Sequence, residues 1–100
     1  MVCMCATCIE EVEAAASMLV KKAMKNKSWT LIGIALIALD LKDAMKAVVA
    51  ANNAIMIEII ESTEDTDHIM PAIAEANKLK HVADAIYRKF IAACNDTIAA

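Results

Sequence analysis

Residues 29 to 61, WTLIGIALIALDLKDAMKAVVAANNAIMIEIIE, run for 33 positions with one glycine, no proline and no charge before Asp40. A stretch of that length without a breaker reads as one helix, and its two halves differ in character. On a wheel of 100° per residue, Leu41, Ala44, Met45, Val48, Ala51, Ile55, Met56 and Ile59 share one arc. Asp40, Lys42, Asp43, Lys46, Asn53, Glu58 and Glu61 share the other. Before Asp40 there is no polar arc: Ile34, Ile37 and Ala38 continue the core stripe, while Ile32, Leu36 and Leu39 face the opposite way. A helix that is apolar all round is buried all round, so neighbours must enclose this segment.

The flanking segments supply two neighbours. Val2, Cys5, Ile9, Val12, Ala16, Leu19 and Ala23 alternate spacings of three and four, the heptad seam of a helix that begins near residue 2. Thr7 and Glu10 offer a second reading, a capping box that starts the helix at Cys8. Asn26, Lys27 and Ser28 break the pattern, with Ser28 placed to cap the central helix. After the loop at residues 62–67, Asp67 is a candidate cap that leaves Pro71 in the first turn, where its missing N–H costs least. Ile69, Ile73, Ala76, Leu79, Ala83, Ile86, Phe90, Cys94 and Ile98 then lie on one arc, which also holds Lys80.

The expected fold is therefore all-α, a single domain over 1–100. It is an antiparallel up-down-up bundle of three long helices at about 2–26, 29–61 and 67–98. The alternative has four helices, with a break at Asn52-Asn53, since Asn accepts the left-handed backbone at a helix end. Short connections make neighbours antiparallel. Folding about residue 27 pairs the first helix with the central one as far as about Asn52, and folding about residue 65 pairs the last helix with all of it. Two neighbours still leave Ile32, Leu36 and Leu39 uncovered. With Trp29 they are the candidate interface of a homodimer.

Composition points the same way. The apolar share of 60% exceeds the roughly 45–50% of ordinary domains, and a 100-residue domain has little interior to hold it. Much of the excess is Ala, which suits close helix packing; the remaining Ile, Leu, Val and Met call for burial against another copy or a protein partner. A net charge of −3 with one Arg and three aromatics excludes a nucleic-acid footprint. The uncharged run 29–39 would span roughly 16 Å as a helix, about half a ~30 Å hydrocarbon core, so a membrane span is not expected. No secretory leader is visible, and the four cysteines read as reduced thiols in a cytoplasmic chain.

One constellation carries chemistry. Cys3, Cys5 and Cys8 form a C-x-C-x-x-C cluster that could present thiolates to zinc or another soft metal, with Cys94 as a fourth ligand. Against it, the heptad seam places Cys5 in the core and Cys94 on an apolar arc. Met4 and Met18 read as exposed. No nucleophile and base are paired, no Gly-rich phosphate loop occurs, and the Glu-x-x-His pairs of helical di-metal sites are absent. The expected function is a non-enzymatic self-associating or partner-binding bundle without cofactor, of natural or designed origin. The alternative is a thiolate metal-binding protein.

Overall fold

The computed structural model describes residues 4–61 and 69–99. Among these, three helices account for nearly the whole chain: α1 (Ala6–Asn26), α2 (Trp29–Glu61) and α3 (Met70–Ala99). The expected loop at 62–67, the Asp67 cap, and Val2 and Cys3 lie outside the described residues.

Each helix end has a local cause. Helix α1 starts neither at residue 2 nor at Cys8. Its N-cap is Cys5, whose extended backbone (φ −71°, ψ 159°) lets the sulfur accept the Cys8 N–H. A capping side chain folds back over the first turn, so Cys5 is exposed and not in the core as the seam suggested. At the other end Lys27 is left-handed (φ 50°, ψ 44°), and the Ala23 carbonyl accepts both the Lys27 and the Ser28 N–H. Ser28 Oγ then accepts the Leu31 N–H at 3.3 Å, capping α2 as expected. Two residues thus reverse the chain.

Helix α2 continues unbroken through Asn52-Asn53, so the four-helix alternative is not observed. Asn costs a helix interior only a few tenths of a kcal/mol, and packing on both sides of the pair outweighs that. Ile34, Ala38, Leu41, Met45, Val48 and Ile55 are buried along one seam, with half-buried Asn52 filling its remaining heptad place. The flanking helices bury residues at sevenfold spacing: Ile9, Ala16 and Ala23 on α1, and Ile69, immediately before α3, with Ala76 and Ala83 on it. Alanine at these positions lets backbones approach closely.

Both outer helices pack on α2, and among the described residues no Cα of α1 comes within 8 Å of one on α3. Ile86, Tyr87 and Phe90 of α3 pack on a cluster of Ile9 of α1 with Leu41 and Met45 of α2. Met4, expected to be exposed, is half-buried against that cluster, because the chain before the Cys5 cap lies over it. The result is long and thin, 58 × 19 × 16 Å, with a radius of gyration of 16.9 Å against about 13 Å for a compact chain of this length. No helix among the described residues is long and apolar enough to cross a membrane.

Candidate functional site

Helix α2 has a second seam. Trp29, Ile32, Leu36, Leu39, Asp43, Lys46, Ala50, Asn53, Ile57 and Ile60 alternate spacings of three and four from one end of the helix to the other. These positions share a stripe that drifts slowly round the helix as a coiled-coil seam does. The structure leaves this stripe open. Trp29 is 85% exposed, Leu36 57%, Ile57 54% and Ile60 77%; Ile32 and Leu39 are half-buried against the α1 side. The four expected interface residues therefore fall on one stripe but divide in exposure. Leu36 stands clear of the subunit, whereas Trp29, although mostly exposed, borders a shallow apolar hollow at the α1–α2 turn with Met24 and Ile32.

The far end of this seam escaped the sequence reading. Met56 and Ile59 were assigned to the core arc, yet both are exposed. The reason is the length of α1. Its first residue, Ala6, lines a groove with Asn53 of α2, so among the described helices α3 alone runs beside α2 beyond Asn53. Ile57 and Ile60 are bare for the same cause. The signal was available in the register argument, which ended α1 near Asn52 and left the rest of α2 with one neighbour.

The middle of the stripe is polar and open. A groove of about 440 Å³ runs between α1 and α2, bordered by Ala6, Glu10, Glu13, Lys46, Ala50 and Asn53. Lys46 Nζ lies 4.0 Å from Glu13 Oε2, and Asp43 Oδ1 lies 3.8 Å from Lys42 Nζ. Both Lys46 and Asp43 remain more than half exposed, so neither contact uses up its charge.

The thiols divide. Cys5 and Cys8 bracket the first turn of α1 with their sulfurs 3.1 Å apart, and Cys8 N–H points to Cys5 Sγ at 3.4 Å. Cys8 packs on the Ile9, Leu41 and Met45 cluster. Cys94 is half-buried on α3, one turn beyond Phe90. Among the described residues no three of His, Cys, Asp and Glu gather where one metal ion could reach them; Cys3 lies outside that set. Comparison with known protein families, with characterised proteins and with solved structures yields no match for this chain.

Proposed function

We propose that this chain is a non-catalytic self-association module, a homodimer in which the second seams of two α2 helices pack antiparallel about a two-fold axis near residues 44 and 45. The observation that supports it is the exposed heptad stripe from Trp29 to Ile60 on a helix already buried along its other seam. An antiparallel pairing whose residue numbers add to 89 sets Trp29 against the partner's Ile60, Ile32 against Ile57, Leu39 against Ala50, and Asp43 against Lys46. Large apolar side chains then meet at both ends, and opposite charges meet at the centre. A two-fold interface makes each contact twice.

Magnitude decides that both ends must take part. The six large apolar side chains of each stripe gain on the order of 1 kcal/mol apiece from the burial still open to them. Two copies together reach on the order of 10 kcal/mol, within the ~4–15 kcal/mol that association costs in lost freedom. One end alone falls short.

Light scattering coupled to size exclusion tests this directly. The wild-type chain is expected to run as a dimer at about 100 μM, well above a weak dimer's Kd. Leu36→Glu and Ile57→Glu, at opposite ends of the stripe, are each expected to yield a folded monomer by circular dichroism. A wild-type monomer at that concentration, or a dimer indifferent to both substitutions, overturns the proposal.

A further inference from the structure

We infer that Cys5 and Cys8 form a redox-active dithiol that exchanges with small diffusible disulfides of the glutathione kind and closes into an intramolecular disulfide across the first turn of α1. Three features carry this. The sulfurs are already 3.1 Å apart, so the S–S bond needs about an ångström of closure and no change in fold. The partners are three residues apart at a helix start, a separation whose Cα distance falls within the range a disulfide spans. Cys5 is the cap itself, exposed to solvent, with the Cys8 N–H directed at its sulfur, so a thiolate there is held by that donor and by the positive end of the helix.

The chemistry balances without any group the protein lacks. The Cys5 thiolate attacks one sulfur of the small disulfide RSSR, forming a mixed disulfide and expelling one RS⁻. The Cys8 thiol loses its proton and attacks Cys5 Sγ, forming the Cys5–Cys8 bond and expelling the second RS⁻. Two protein thiols are oxidised, one RSSR is reduced to two RSH, and both protons pass to the leaving thiolates.

The roles of the two cysteines differ, and the test uses that difference. The full-length chain is incubated with glutathione disulfide and followed by intact-mass and fragmentation mass spectrometry. Wild type and Cys3→Ser are both expected to lose the mass of two hydrogens and to show a Cys5–Cys8 link. Cys8→Ser is expected to stop at one glutathionyl group on Cys5, and Cys5→Ser to react at least about tenfold more slowly. Failure of Cys3→Ser to form the link, a link that runs through Cys3, or glutathionylation of Cys8→Ser no faster than that of Cys5→Ser overturns the inference. Circular dichroism of each variant confirms that the helices are intact.

Discussion

Lys46 of α2 lies 4.0 Å from Glu13 of α1, and that pairing marks the register of the first hairpin. Residue numbers facing each other across the turn add to about 59, so Ala6, where α1 begins, stands level with Asn53. Everything on α2 beyond that level is left to α3, which is why Ile57 and Ile60 are bare. The lower end of the proposed dimer surface is thus a consequence of α1 being shorter than α2.

That ion pair marks the register without holding it. Both side chains are more than half exposed, and exposed pairs contribute little. A double-mutant cycle with Glu13→Ala and Lys46→Ala, read from urea unfolding, is expected to give a coupling below about 1 kcal/mol that fades at high salt. A larger, salt-independent coupling would mean that the pair is shielded in solution, as a second copy lying along the groove would make it. The measurement is therefore best made on the monomeric Leu36→Glu background.

The turn between α1 and α2 holds a non-glycine residue in the left-handed region, Lys27 at φ 50°. A side chain there carries a steric cost of roughly 1 kcal/mol that glycine avoids. Lys27→Gly is expected to raise stability by up to about 1 kcal/mol, seen as a higher urea midpoint with unchanged slope. Destabilisation would show that the Lys27 side chain contributes more than its backbone costs.

The helix count, the boundaries of α2 and the antiparallel order were all legible in the chain, because they rest on breaker residues and period. Helical period reads a face, and Ala16, Ala23, Ala76 and Ala83 are buried on the faces that it assigned. What period does not read is how far a neighbour extends. Met56 and Ile59 lie on the core arc by angle yet are exposed, since coverage depends on where α1 starts. The same limit applies at Cys5, where a seam position became a cap because a helix end exchanges core direction for N–H satisfaction. Asn52-Asn53 misled in the other direction: a local preference for stopping yielded to packing on both sides.

Two residues five positions apart on α2 separate core from stripe. Leu41 is fully buried and Leu36 is more than half exposed. Leu41→Ala is expected to cost about 2–5 kcal/mol in a chemical melt, and Leu36→Ala less than about 1 kcal/mol in the monomer. Ala38, also fully buried, tests the close approach of α1 and α2. Ala38→Leu is expected to cost about 1–3 kcal/mol by overpacking. A Leu36→Ala cost equal to that of Leu41→Ala at micromolar protein would be the mark of a dimer already formed.

Gly33 sits in the first half of α2 with ordinary helical backbone, and a Cβ added there meets nothing within 4 Å. Gly33→Ala is expected to stabilise the subunit by roughly 0.5–1 kcal/mol through reduced freedom of the unfolded chain. Thermal melts of the monomeric background would register this as a rise of several degrees. No rise would place the first turns of α2 among the frayed parts of the chain.

The centre of the proposed interface makes the sharpest demand, because it specifies direction as well as contact. If two α2 helices pack antiparallel with residue numbers adding to 89, Asp43 of each copy faces the partner's Lys46, and the two pairs lie on either side of the axis. Asp43→Lys then sets like charges opposite one another twice, and Lys46→Asp does the same with the other sign. Each single reversal is expected to weaken the dimer by about tenfold or more, and the double reversal Asp43→Lys/Lys46→Asp to restore it to within a few-fold. Parallel packing would set Asp43 against Asp43 and Lys46 against Lys46. There the single reversals would still leave like charges opposed and the double reversal would be neutral. Asp43→Asn would relieve a repulsion in that packing and strengthen association, whereas in the antiparallel dimer it removes an attraction and weakens it. Equilibrium sedimentation of these proteins at moderate salt separates the two packings through Asp43→Asn, and its weakening of the dimer, together with restoration by the double reversal, is the result that the antiparallel register requires.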